Sequence, residues 1–394
     1  MVMRRLTELR AKEFRSLADV TIPLAPLTVL VGPNGSGKSN VLNMLRFLAS
    51  TVRFDLASAI DEWGGFDHIK RQAGKPTSQV SLGVTGQITQ HSSQNALDIY
   101  DLSFRQTARG TLTRSETFQF KRTKGRGRRI TISGDRAEFS GDDHQPVAQR
   151  LANSQTTGLA TLPKLADDQG GEGIRALAEF LSSLRVLEPD VSEARTPARM
   201  ISGPLADDAS NLAAALHRLS TTDEDAFGAL QSDLRYCLQG LDAIEFQSIG
   251  GPGKSVAVVL RERGVRQPVE LADASFGTVR LLAILTALHE PDPPPFTAIE
   301  EIDHGLHPYA IDILVDRMRR AAEHTQLLIA THSPTLVNRL RPEELVVCGR
   351  DPETGASLIP MMDSAAMLRA VEASELGLGE LWFAGAIGGV PELV

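Results

Sequence analysis

The segment "VGPNGSGKSN", Val31 to Asn40, places three glycines, a lysine and two serines in an order that can hold a polyphosphate. Glycines let successive backbone N–H groups turn toward one anion, and the start of the following helix adds the positive end of its dipole. From Gly32 through Pro33, Asn34, Gly35, Ser36 and Gly37 to Lys38 and Ser39 the segment fits the P-loop pattern, and Asn40 ends the run of candidate nucleotide contacts. In that pattern Lys38 reaches the β- and γ-phosphates of ATP and the Ser39 hydroxyl ligates Mg2+. A P-loop needs an acidic partner for the metal and a group that activates water. "FTAIEE", Phe296 to Glu301, ends an apolar run on two adjacent carboxylates. Neighbouring strand residues face opposite ways, so two unpartnered acids at the end of a buried strand would be costly. With a P-loop nearby each has a target: Glu300 holds Mg2+ through its water shell, and Glu301 orients or deprotonates the attacking water.

Two further stretches carry polar groups at element ends. "QLLIATHSPT" leaves His332 just past an apolar strand, where parallel sheets bind ligands, and its imidazole can hydrogen-bond a γ-phosphate oxygen. Lys38, Glu301 and His332 are therefore the catalytic candidates. "ASFGTVRLLAI", Ala274 to Ile284, is a Ser-x-Gly turn opening a helix, a second anion site of N-cap type built on Ser275 and Gly277.

These groups need elements to hold them. "LTELRAKEF", "ADVTIPL" and the continuous "LTVLV" read as strands before the P-loop, and "SNVLNMLRFL" as the helix after it. "QVSLGVTGQI", "ALDIYDLSF", "TLTRSETFQF", "RRITIS" and "RAEF" read as antiparallel strands. "GIRALAEFLSSLRVL", "ASNLAAALHRLS" and "AFGALQSDLRYCLQGL" read as helices, and "DAIEFQSI" and "KSVAVVLRER" as further strands. The last third alternates helix and strand, as a mostly parallel sheet with covered faces requires. The spacing predicts an α/β chain in three parts. Residues 1–150 form a mixed N-terminal β lobe with the P-loop, 151–240 an inserted helical subdomain, and 241–394 a C-terminal, mostly parallel α/β lobe.

The bulk properties agree with a globular chain. It has 394 residues, 42% hydrophobic and 23% charged, enough for a large core. A net charge of −8 speaks against wholesale coating of nucleic acid while leaving room for a local basic patch. Cys237 and Cys348 are the only cysteines and have no metal-ligand spacing, which suits a reducing cytoplasm. No run of roughly 18 apolar residues suggests a membrane span, and the amino terminus lacks the apolar core of a signal peptide. The expected protein is cytoplasmic.

P-loop, Ser-x-Gly helix start, two-acid strand end and strand-end histidine follow one another in an order that resembles the ABC-class ATPases. More narrowly the chain resembles their RecF/SMC-related branch, which includes the OLD-family ATPases and stand-alone bacterial AAA/ABC-type relatives. "EFRSL" is similar to that branch's strand turn beside the nucleotide, making Arg15 and Ser16 candidate contacts. "ASFGTVRLLAI" is similar to the signature helix, with Ser275, Gly277 and Thr278; "IEEIDHGLHP" to the Walker B and D-loop region; and "ATHSPTLVN" to the switch-histidine loop. Phe276, Glu300 and Ile302 depart from the commoner residues at their positions, and Gln87 and Gln90 both fit the Q-loop glutamine. The resemblance implies a P-loop NTPase fold of ABC/RecF type. It also implies an ATP-bound homodimer in which the signature serine of one protomer meets the γ-phosphate held by the other.

A transporter ATPase is disfavoured because no Leu-Ser-Gly-Gly-Gln run is present. A full SMC is disfavoured because no heptads separate Lys38 from Ser275. No Asp-x-Asp follows His332, as the nuclease domain of OLD proteins would require, so nuclease chemistry is expected from a separately encoded effector. The functions this leaves are the ATPase of a bacterial defence or DNA-maintenance system, a RecF-like DNA-repair loader, and an ATP-gated scaffold with little turnover. The stretch "KRTKGRGRR" gathers Lys121, Arg122, Lys124, Arg126, Arg128 and Arg129 without an acid, a candidate contact for DNA phosphates or a solvated turn. The carboxyl-terminal "LGELWFAGAIGGVPELV" reads as a docking segment, on this chain's core or on a partner.

Overall fold

Near-continuous apolar strands are stable only where both of their faces are covered, and three such strands form the centre of the fold. The computed structural model describes residues 4–73, 79–107, 109–121, 127–141, 144–151, 155–164, 170–200, 203–251 and 253–389. Its central sheet is parallel throughout. Its order is β10 (Arg185–Leu187), β15 (Phe296–Glu300), β16 (Gln326–Thr331), β3 (Leu27–Val31) and β17 (Leu345–Val347). The strand before the P-loop thus lies between two strands from the other end of the chain. Each of the segments 1–150, 151–240 and 241–394 contributes to this sheet.

The period-2 alternation of strands divides these side chains between two cores. Val29, Val31, Ile299, Leu327 and Ile329 enter one, with the helices Leu212–Thr222, Phe276–Leu288 and Pro308–Ala321 on that face. Leu30, Phe296, Ala298, Leu328 and Ala330 enter the other, with the P-loop helix Lys38–Arg53, the helix Gly171–Ser182 and a large antiparallel sheet. That second sheet runs β2 (Leu17–Pro23), β1 (Arg5–Phe14), β4 (Gln79–Gln87), β5 (Asp98–Gln106), β6 (Leu112–Phe120), β7 (Arg128–Ser133), β8 (Arg136–Gly141) and β9 (His144–Arg150). One polar cluster interrupts its apolar face. Glu116 is buried yet accepts from Tyr100 Oη (3.0 Å) and Gly158 N (2.7 Å), with Arg114 at 3.2 Å. Burial pushes the Glu116 carboxyl up, against the opposing pull of Arg114.

Two smaller sheets complete the chain. β13 (Ser255–Glu262) pairs with β11 (Ala198–Arg199), β12 (Leu241–Ile249) and β14 (Val269–Glu270), and β18 (Gly349–Arg350) pairs with β19 (Ser357–Leu358) as a hairpin. The structure departs from the sequence reading at "GIRALAEFLSSLRVL". The helix stops at Ser182, and Arg185–Leu187 becomes an edge strand in register with Thr297–Ile299. Buried Glu290 accepts from one Nη of Arg185 there and offsets its charge, so the apolar tail of the segment can join the sheet. β9, rich in polar residues, carries no apolar alternation to announce it.

Candidate functional site

Between β3 and its helix the chain must reverse direction tightly, and the glycines permit this. Gly35 has φ +78° and Gly37 φ +104°, and a Cβ on Gly37 would lie 2.0 Å from Ser357 Oγ. Lys38 Nζ donates to the carbonyl oxygens of Gly32 (2.7 Å) and Pro33 (3.0 Å), and its burial lowers its pKa. Ser36 Oγ is buried without a hydrogen-bond partner. A glycine cradle and a pre-placed ammonium together suit a polyphosphate.

β15 delivers the acids. Ser39 Oγ donates to Glu300 Oε1, so a hydroxyl and a carboxylate oxygen sit side by side as hard-cation ligands. Among the described residues no group of three His, Cys, Asp or Glu side chains could hold a metal. Mg2+ at Ser39 and Glu300 would take its remaining ligands from phosphate and water, as that ion usually does. Glu301 follows at φ +48°, a left-handed conformation that costs a non-glycine residue roughly 1–2 kcal/mol. Its N–H donates to Ala330 O (2.8 Å), which ties the turn to β16. Arg280, on the helix Phe276–Leu288, donates through one Nη to the carbonyls of both Glu300 (2.7 Å) and Glu301 (3.0 Å). The Glu301 carboxylate pairs with His304 Nδ1 at 2.7 Å, and that bond holds it below the usual carboxylate range.

His332 follows β16. Thr331 Oγ1 accepts from Ser333 N (3.0 Å) and donates to Asp303 Oδ1 (2.6 Å), fixing the loop on either side of the histidine. Lys38, Ser39, Glu300, Glu301 and His332 line one cavity of about 460 Å3, together with Ser16, Asn34, Gly35, Gly37, Asn40, Ala330 and Arg350. Gly32, Pro33 and Ser36 lie outside its lining. Ser16 Oγ accepts from Asn40 Nδ2 (2.7 Å) and meets Ser357 Oγ at 2.6 Å. Arg15, at φ +49°, stacks its guanidinium 4.7 Å above Trp63 and faces an adjoining cavity that also contains Ser16 and Arg350.

Ser275 and Gly277 do not line the P-loop cavity of their own chain. Ser275 caps its helix, accepting from Thr278 N at 3.1 Å. Gly277 packs so closely on the loop after Glu301 that a Cβ would come within 2.5 Å of Gly305 O. Phe276 is 48% exposed, with its ring 5.7 Å from that of His304. Gln87 and Gln90 line a different cavity, of about 560 Å3, beside Lys121 and Arg128. Of the basic stretch, Arg122, Lys124 and Arg126 lie outside the described residues, and Arg129 is exposed on β7. Sequence reasoning passed over Arg280, Arg350 and Ser357, whose only local signals are an arginine inside an apolar helix and the turn residues of "GRDPETGAS".

A family model described as "AAA domain, putative AbiEii toxin, Type IV TA system" (AAA_21) matches residues 27–338. The chain belongs to this family. The AAA domain shares a short stretch, 45% identical over 47 residues, with an OLD nuclease of Thermus scotoductus; the match covers 12% of this chain and 9% of that nuclease. Its fold is that of SMC heads. It matches an Smc head bound to the C-terminal winged-helix domain of ScpA with a TM-score of 0.56 at 14% identity, covering 90% of this chain and 96% of that one. An Smc head with an extended coiled coil, from Pyrococcus furiosus and bound to the C-terminal domain of ScpA, gives 0.57 at 12% identity over 94% and 99%. The chain therefore joins an AAA-family P-loop to an SMC-head-like fold, mixed α/β, with an N-terminal antiparallel sheet beside the parallel one. No helix among its described residues is long and apolar enough to cross a membrane.

Proposed function

We propose that this AAA domain binds ATP with Mg2+, hydrolyses it to ADP and phosphate, and acts as a switch in a head-to-tail homodimer. One observation carries the reading: Lys38, Ser39, Glu300, Glu301 and His332 converge on a single cavity that their own Ser275 does not reach. Lys38, released from the loop carbonyls, neutralises the β- and γ-phosphates. Ser39 and Glu300 would hold Mg2+, which when bound would offset charge on the phosphate oxygens. Glu301 takes a proton from water, whose oxygen attacks the γ-phosphorus as the bond to the β-phosphate oxygen breaks. His332 donates to the γ-phosphate. Ser275, Gly277 and Thr278 of a second copy cap the site.

The family description and the OLD-nuclease stretch support placing this ATPase in a bacterial defence or DNA-maintenance system, and we propose that it acts in the cytoplasm with a separate effector such as a nuclease. Mixing two disabled chains tests the dimer. Ser275→Arg and Lys38→Ala should each be inactive alone. A heterodimer of the two holds one intact composite site and should recover ATPase, up to about half the wild-type rate per dimer if the sites are independent. Heterodimers seen by native mass spectrometry without recovered turnover would count against independent sites completed in trans.

A further inference from the structure

Arg350 is the one arginine among the described residues that line the P-loop cavity, and neither the P-loop nor the acid-bearing strand supplies it. It comes from the β18–β19 hairpin, and several contacts fix that hairpin beside the glycine loop. Ser357, opposite Arg350 in the ladder, donates its N–H to Ser16 O (2.8 Å) and meets Ser16 Oγ. The hydroxyl of Ser357 occupies the space that a side chain at Gly37 would need. Asp351 Oδ1 accepts from the N–H groups of Glu353 (2.9 Å) and Thr354 (2.7 Å), which stiffens the turn, and Arg71 donates to Thr354 O (2.7 Å). The hairpin thus holds Arg350 with one Nη 3.3 Å from where a Cβ of Gly35 would stand. Its guanidinium borders both the P-loop cavity and the adjoining one that contains Arg15. The Arg350 side chain forms no hydrogen bond or ion pair among the described residues. Arg350 is exposed, so its guanidinium is solvated by water and free to take an arriving anion as a bidentate partner.

We propose that Arg350 is a nucleotide-binding residue that contacts the phosphate chain of ATP beside Gly35. The inference deepens the ATPase reading and rests on it. A planar fork at this place can bridge two phosphate oxygens, whereas Lys38 acts as a point charge. The residue would act in binding, with no proton to give or take.

Calorimetric titration of ATP and of ADP into wild type, Arg350→Lys, Arg350→Ala, Arg350→Glu and Lys38→Ala tests it. Arg350→Ala should weaken binding about tenfold, Arg350→Glu more, and Arg350→Lys less than either. An equal loss for ATP and ADP assigns the contact to the shared phosphates, and a loss confined to ATP assigns it to the γ-phosphate; both support the inference. The nucleotide-free melting temperature should stay at the wild-type value, because the side chain has no protein partner to lose. If wild type binds, Lys38→Ala does not, and Arg350→Glu binds within twofold of wild type, the inference is overturned while the ATPase reading stands. If Arg350→Glu keeps its affinity but loses ATP-driven dimers by light scattering, the guanidinium meets a second chain and the inference is again overturned. A wild type that binds neither nucleotide removes both readings.

Discussion

Arg280→Met would separate the helix Phe276–Leu288 from the turn that carries Glu301. Arg280 is 6% exposed and its guanidinium donates to two backbone carbonyls, Glu300 O at 2.7 Å and Glu301 O at 3.0 Å. A hydrogen bond from a charged donor contributes about 1.5–3 kcal/mol, so two sharing one Nη set an upper bound near ~6 kcal/mol. Offsets reduce this. Methionine fills much of the volume and removes Arg280 Nε, a buried donor that has no partner. Glu301, then held by its N–H bond to Ala330 O without the arginine, can relax in part from φ +48° and regain up to roughly 1–2 kcal/mol. The net loss of stability should be about 2–4 kcal/mol, read as a lower urea midpoint at unchanged slope. The functional effect should exceed what stability explains. A 1 Å displacement of a reacting group costs about a hundredfold, so single-turnover hydrolysis should fall by about that factor with ATP affinity within about threefold. Arg280→Lys, able to reach one carbonyl, should fall between. A methionine variant that hydrolyses ATP at the wild-type rate, with less than about 0.5 kcal/mol lost, would refute the claim that Arg280 sets the Glu301 turn.

Glu301→Gln should bind ATP yet hydrolyse it at least about a hundredfold more slowly, since the amide cannot accept the proton, and an ATP-stabilised dimer should accumulate on size exclusion. Retained single-turnover activity would move the general base elsewhere, Glu300 being the first alternative. Asp233 supplies a pH test away from the site. Burial pushes its pKa up, but bonds from His289 Nε2 (2.8 Å) and Arg317 (2.8 Å) outweigh this and leave it lowered. With the folded pKa below the unfolded value of about 3.9, its stabilisation is complete above that pH and lost as pH falls through the folded value. Asp233→Asn should therefore cost about 2 kcal/mol at pH 7, and the gap between the urea midpoints should narrow below about pH 4. A gap of constant size would show that the carboxylate charge is not what matters there.

The parts of the site that were legible in the sequence are those whose chemistry requires fixed local spacing. Gly35 and Gly37 must adopt positive φ, Ser39 must follow Lys38, and Glu300 and Glu301 must end a buried strand; each demand leaves a mark within a few residues. Their meeting in one cavity could be expected because strands ending in such groups share one sheet. Arg280, Arg350 and Ser357 were illegible because proximity in space, not spacing in sequence, gives them their partners: Glu300, Gly35 and Ser16. Fold reading followed the same rule. Strands with a strong apolar rhythm were found, while Arg185–Leu187 was absorbed into a helix because three residues are too few to show a period.

The place of β3 between β16 and β17 has a consequence for how the protein is made. Val31 emerges from the ribosome early, yet its neighbours in the sheet are Thr331 and Val347. At about 5–20 residues per second, the strand waits roughly 15–60 s for the chain that will flank it. During that interval five residues destined for complete burial have no sheet to join, and the glycine loop after them has no acids to face. A nascent chain stalled before Gln326 would carry an intact P-loop motif and no nucleotide site. Premature termination therefore yields no half-active ATPase, and the interval in which β3 is unpaired is when a holdase chaperone would have most to protect.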